Sequence, residues 1–150
     1  MTIPYPGLIR ATALLLALMS AALPLAASAQ QSERFGDYEV HYSAVPTALL
    51  NTEVAQGYGI LRSRTKALMM VTILHQGESV TGAVDVSARE NDDPPSEIPM
   101  RRVRDGGWVS YVGTFDFEPG QGLNFVITAN PHGTAGPFQL AFRQVFHSPE

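Results

Sequence analysis

The eight residues "ALMMVTIL", Ala67–Leu74, decide the fold, because every position except Thr72 is apolar and the β-branched residues gather toward the end. A short run that is apolar on both faces is the pattern of a strand covered on both sides. It predicts the central, best-buried strand of the domain. Upstream, "FGDYEVHYSAV" (Phe35–Val45) alternates, with Tyr38, Val40 and Tyr42 on one face and Glu39, His41 and Ser43 on the other. That is a strand with one face buried and one polar.

The same period of two continues downstream. "SVTGAVDVSARE" (Ser79–Glu90) turns Val80, Gly82, Val84, Val86 and Ala88 inward, and "NDDPPSE" (Asn91–Glu97) is a loop. "IPMRRV" (Ile98–Val103) reads as a weaker strand that Pro99 confines to an edge, since proline has no N–H for the ladder. Asp105-Gly106-Gly107 is hairpin-turn chemistry. "WVSYVGTFDFE" (Trp108–Glu118) lines up Val109, Tyr111, Phe115 and Phe117, and "GLNFVITAN" (Gly122–Asn130) and "PFQLAFRQVF" (Pro137–Phe146) complete the pattern. About seven strands without a periodic helix predict an all-β, antiparallel two-sheet sandwich, immunoglobulin-like in plan. A small closed barrel is the alternative.

One short helical insert interrupts the strands. Pro46 ends a ladder, Asn51 or Thr52 caps a helix over residues 52–56, Glu53 falls in its first turn, and Gly57 supplies a left-handed stop. Leu49, Leu50, Val54 and Tyr58 are expected to plug one open end of the sandwich; the other reading makes the same insert a ligand-lining loop.

The first 29 residues have the grammar of a cleaved signal peptide: Arg10, the 17-residue run "ATALLLALMSAALPLAA", and the small-residue site Ala27-Ser28-Ala29. Pro24 interrupts that run, which falls short of the roughly 20 apolar residues of a membrane anchor. Export to the periplasm, with residues 30–150 as one domain without a transmembrane segment, is the expectation. That domain carries 9 basic and 14 acidic residues, a net −5 that argues against nucleic acid as a partner. The chain has no cysteine, so disulfides and thiolate sites are excluded and a packed core must supply the stability.

"FGDYEVHYSAVPT" (Phe35–Thr47) and "VAQGYGILRSRTKALMMV" (Val54–Val71) together resemble the opening block of a family of secreted Gram-negative proteins, domain of unknown function 4426. "FQLAFRQVF" (Phe138–Phe146) is similar to that family's closing strand, whereas the link from Arg89 to Phe115 is longer than the family's. The resemblance implies a periplasmic all-β domain and brings no assigned activity or catalytic residues.

No reacting constellation stands out. His41, His75, His132 and His147 show no short metal-ligand spacing, and Met69 and Met70 read as core filler. Glu39, His41 and Ser43 share a face, but side chains two apart on a strand stand about 6–7 Å from one another, too far for a chain of hydrogen bonds. Arg62, Arg64 and Lys66, with Arg101, Arg102 and Arg104, could form a cationic patch for an anionic partner such as a polysaccharide or lipid headgroup. Trp108, at a strand start, is either a core lid or a recognition anchor.

The resulting reading is a non-enzymatic binding or interaction module of the cell envelope, without a cofactor, whose partner is an envelope protein or ligand. Its candidate binding residues are Tyr42, Pro46, Tyr58, Arg62, Arg64 and Trp108. The alternative is a small Cu/Zn carrier or a hydrolase on the Asp37, Glu39 and His41 face, with Glu39 and His41 as metal ligands.

Overall fold

Two antiparallel sheets face each other, as the alternation predicts. The computed structural model describes residues 30–133 and 135–149; the signal-peptide expectation for residues 1–29 lies outside the described residues. In chain order the elements are β1 (Gln31–Phe35), β2 (Tyr38–Pro46), a 3-10 turn (Thr47–Leu49), α1 (Thr52–Gly57), β3 (Lys66–His75), β4 (Glu78–Ser79), β5 (Gly82–Glu90), β6 (Ser96–Ile98), β7 (Arg101–Asp105), β8 (Trp108–Asp116), β9 (Gly122–Pro131) and β10 (Phe138–Val145). The larger sheet runs β1-β2-β3-β8-β7, with β4 on the end of β3; the smaller runs β10-β9-β5-β6.

The described residues form ten strands rather than seven, for local reasons. β1 has no apolar alternation; it is an exposed edge strand folded onto β2 by the two-residue turn Gly36-Asp37, where Gly36 takes φ +63°. β4 is a two-residue return after the Gln76-Gly77 turn. The "IPMRRV" segment is not one strand. It ends β6 in the small sheet, changes sheets at Pro99-Met100 and continues as β7 in the large one. Proline's edge assignment holds for both halves, since β6 and β7 are each a sheet edge. The crossing also explains Gly113, where a Cβ would lie 2.5 Å from the Pro99 carbonyl oxygen.

β3 sits between β2 and β8 and is buried along both faces, which is what its sequence requires. Its inward side chains Ala67, Met69, Val71 and Ile73 meet Val84, Val86, Phe125, Ile127 and Leu140 of the small sheet in one core. Phe125 is fully buried, stacked on Phe142 at 4.9 Å and edge-on to Phe115 at 5.2 Å. Such rings add directional packing to the area they remove from water. Tyr111 links the sheets directly: its hydroxyl accepts from Gly82 N at 2.8 Å and donates to Gly82 O at 2.7 Å. Away from the β6–β7 crossing, the two sheets are joined by aromatic contacts, Phe35 on Phe138 at 4.8 Å and Tyr42 on Phe142 at 4.7 Å, and by Gln144 Nε2, which donates to Ala44 O at 2.8 Å.

Phe125→Ala is expected to cost about 3–5 kcal/mol in chemical denaturation, whereas Val126→Ala, one residue away on the outer face, changes stability by less than about 0.5 kcal/mol. Equal effects at the two positions would mean that β9 is out of register.

Candidate functional site

The outer face of the large sheet is not polar at its centre. Leu68 and Val112, on adjacent strands and pointing away from the core, are only 4% and 1% exposed. The cover comes from the insert between β2 and β3. This corrects the expectation that the insert plugs an open end: Leu49 is 61% and Val54 39% exposed, and Ala55, at 3%, is the buried side of α1. Asn51 caps α1, its Oδ1 accepting from Val54 N at 2.7 Å. The left-handed residue that turns the chain afterwards is Gly59, at φ +66°, and not Gly57, which remains helical.

The insert is closed at its base by one side chain. Thr47, fully buried, accepts from Ser63 N at 2.8 Å and donates to Ser63 O at 3.1 Å, tying the two ends of the excursion together. Above that clamp Arg62 donates to Ala48 O at 2.8 Å, and Arg101 of β7 donates to the Tyr58 carbonyl. The insert is therefore held to itself by a buried hydroxyl and to the sheet by an arginine.

Two clefts flank it. One, of about 410 Å³, has an apolar lining of Ile60, Leu61, Leu68, Met100 and Val112, with Lys66 and Arg101 beside them. Lys66 is paired with Asp116 at 2.7 Å. The other, of about 480 Å³, is lined by Val54, Tyr58 and Val103 together with Glu53, Arg104 and Asp105. Asp105 is the ladder partner of Trp108, whose side chain is 47% exposed.

Of the sequence-derived candidates, Tyr58, Arg62 and Trp108 thus come to one face. Arg64 is exposed just before β3, and its carbonyl accepts from Ser148 Oγ at 3.1 Å. Pro46 is half-buried at the end of the β2–β3 ladder. Tyr42 lies elsewhere, 8% exposed in the core. Arg102 and Arg104 pair with Tyr111 and Val109 in the ladder and so point to the other side of β7 from Arg101, which divides the cationic patch expected from the sequence. Sequence reading passed over Leu61 and Val103. The available signal was the Ile60-Leu61 pair in "GILRSR", apolar side chains at the start of a charged segment with no alternating partner for Leu61.

The Glu39 and His41 pair forms a separate, smaller feature on the β1 side. His41 Nε2 is 3.1 Å from Glu39 Oε1 without a directed hydrogen bond, and is buried without a hydrogen-bond partner. Arg34 reaches the other carboxylate oxygen at 3.5 Å. His41 borders a cleft of about 240 Å³ with Ser43, Met70 and Thr72, whereas Asp37 lies with Glu39 on a neighbouring one. No nucleophile is bonded to the imidazole; the Thr72 hydroxyl pairs with Ser110 Oγ at 2.6 Å instead. Among the described residues no group of three or more His, Asp or Glu is placed to hold a metal ion.

Fold and site together define a class: a cysteine-free β-sandwich with a clamped insert lying across the outer face of its larger sheet. The chain belongs to the DUF4426 family, described as a domain of unknown function, whose model matches residues 32–148. A solved DUF4426 family protein from Pseudomonas aeruginosa PAO1 has a TM-score of 0.72 to this chain at 26% identity, covering 81% of this chain and 98% of that one. A copper-bound variant of FetP from uropathogenic Escherichia coli strain F11 has a TM-score of 0.59 at 11% identity, over 81% of this chain and 97% of that one. The second likeness is one of fold. No curated protein matches the sequence.

Replacing Thr47 by Val keeps its shape but removes both contacts, leaving the Ser63 amide unpaired in a part-buried position. The expected loss is about 1–3 kcal/mol, with Thr47→Ser close to the parent. Comparable denaturation midpoints for Val and Ser variants would show that the clamp does not hold the insert. At Tyr42, burial and then the charge of Glu33 push the phenol above its ordinary value. The folded state therefore favours the neutral phenol, a contribution present below the unfolded value of about 10 and lost as pH rises through the folded one. Melting curves above that pH should fall less steeply for Tyr42→Phe than for the parent.

Proposed function

We propose that the protein is a non-enzymatic binding module of the cell envelope, exported to the periplasm, and that it meets its partner with the insert-bearing face of the larger sheet. One observation carries this reading. Of the six large apolar side chains that stand exposed among the described residues, four (Leu49, Val54, Leu61 and Trp108) lie in the insert or at the adjoining start of β8. Single exposed apolar side chains are ordinary on a protein surface, but a group of them around clefts marks a contact surface. Trp108 and Tyr58 also belong to the residue types that anchor interfaces.

Incorporation of a photo-crosslinking amino acid at position 61 tests the reading. In intact cells, position 61 is expected to give a discrete adduct with an envelope component, and position 126, on the opposite outer face, is expected to give none. Equal labelling at both positions would remove the face assignment.

A second reading, a copper carrier, has one feature in its favour: the buried His41 Nε2 beside the Glu39 carboxylate, in a fold shared with a protein solved with copper bound. Imidazole with a carboxylate suits Cu(II) among divalent ions. If it holds, protein purified without chelator takes up Cu(II) and His41→Ala lowers the affinity by about tenfold or more. Uptake that is indifferent to His41→Ala would end it.

A further inference from the structure

The sandwich has four edge strands, and they are built very differently. β6 is three residues set between Pro94-Pro95 and Pro99, β1 is five residues with Glu33 and Arg34, and β7 is five residues of which Arg101, Arg102, Arg104 and Asp105 are charged. Short length, charge and proline are the means by which an edge is kept from pairing with another chain. β10 lacks all three. It is eight residues long, pairs with β9 at every position from Phe138 to Val145 without a bulge, and contains one charged residue, Arg143, and no proline or glycine. Among the described residues β9 is its sole ladder partner, so its other edge carries backbone groups without a strand beside them. Phe138 and Phe142 are turned toward the core yet only half-buried, because the small sheet ends there.

We infer that β10 pairs with β10 of a second copy of this chain, antiparallel about a two-fold axis, so that the two small sheets become one. Charge argues for the second copy. The domain is net −5 from residue 30 onward, which sets acids against acids in most approaches of two copies, yet residues 119–149 contain Arg143 as their single Asp, Glu, Lys or Arg. Along the β9–β10 side two copies meet without that repulsion. The register agrees. Opposed side chains of an antiparallel pair point to the same side, so a two-fold pairing that keeps one continuous sheet face is centred on a residue. Centred on Ala141 it sets Arg143 against Gln139 and Leu140 against Phe142; centred on Phe142 it sets Arg143 against Ala141 and the two Phe142 rings together. Neither opposes like charges. The same operation about the middle of β7 sets Arg102 against Arg104, and about the middle of β1 it sets Glu33 against itself, so β10 is the long edge that fits its own copy. An eight-residue seam is smaller than the roughly 1,600 Å² of a standard interface, which makes the dimer weak and concentration-dependent. It leaves the insert-bearing face of each copy free, and Val126, one strand in on β9, lies outside it.

The test uses residues 30–150, the span that corresponds to nearly all of the solved family member's chain. Sedimentation velocity from about 10 µM to about 500 µM is expected to show the weight-average sedimentation coefficient climbing from monomer toward dimer. Ala141→Arg places a cation against its own counterpart or against Arg143, whichever register holds, and should weaken association at least about fivefold. Ala141→Glu tells the registers apart: it tightens the dimer if the centre is Phe142, where it meets Arg143, and weakens it if the centre is Ala141. Leu61→Ser, on the insert-bearing face, should leave association unchanged. Ala141 is exposed, and a circular dichroism melt confirms that the variants fold. Amide exchange of the parent gives a reading without substitutions, slowing at β10 and not at β1 as concentration rises. A chain that stays monomeric at about 500 µM, or whose association survives Ala141→Arg or is lost with Leu61→Ser, overturns the inference. Protection of β10 only in the presence of another envelope protein, with the chain itself monomeric, overturns the second copy as occupant.

Discussion

The large sheet must be covered on both sides, and much of the rest of the molecule follows from that. β3 is apolar in both directions, so the small sheet buries one face through Met69, Val71 and Ile73, and something else must shelter Leu68 on the other. A second complete sheet would need many more residues. The chain uses a single excursion between β2 and β3, a 3-10 turn, six helical residues and an extended return, to shield the apolar centre of that face. Six residues are too few for an independently stable helix, which is why the Asn51 cap, the Thr47 clamp and the arginine from β7 are all present.

A cover this small leaves its own apolar residues half outside. Ala55 is the buried side of α1, whereas Leu49, Val54 and Leu61 stand exposed, Leu61 and Val54 at the two clefts. The exposed patch is thus a geometric consequence of how the β3 strand is sheltered. Without cysteines, nothing covalent restrains the arrangement. The aromatic cluster around Phe125 and the Tyr111 link to Gly82 fix the two sheets, and the insert rides on the larger of them.

The fold was legible where burial writes a simple period. Tyr38, Val40 and Tyr42, the alternation from Val80 to Ala88, and the doubly apolar β3 each told their own story, because a side chain's face on a strand is fixed by parity. The helix was legible from its own capping and turn residues, with the cap left between Asn51 and Thr52; the structure uses Asn51. What escaped was decided by distant partners. β1 is a polar edge strand whose pairing with β2 leaves no mark in its own residues, and the Pro99 crossing depends on which sheet offers Ile98 and Val103 a partner. Likewise the placement of the insert over the outer face, rather than at an end, is set by Leu68 and Val112. Tyr42 shows the opposite failure: an aromatic residue eligible for recognition by type, used by the core against Phe142.

Trp108 is the chain's single tryptophan and stands on the face in question, which makes it a direct reporter. Protein labelled with 5-fluorotryptophan gives one fluorine resonance from that position, and unlabelled envelope membranes add no fluorine signal of their own. Titrating those membranes into the labelled protein should broaden and shift the resonance in step with the fraction that sediments. A resonance that stays sharp and unmoved while the protein sediments with the membranes would contradict the account, because contact would then be made by another face.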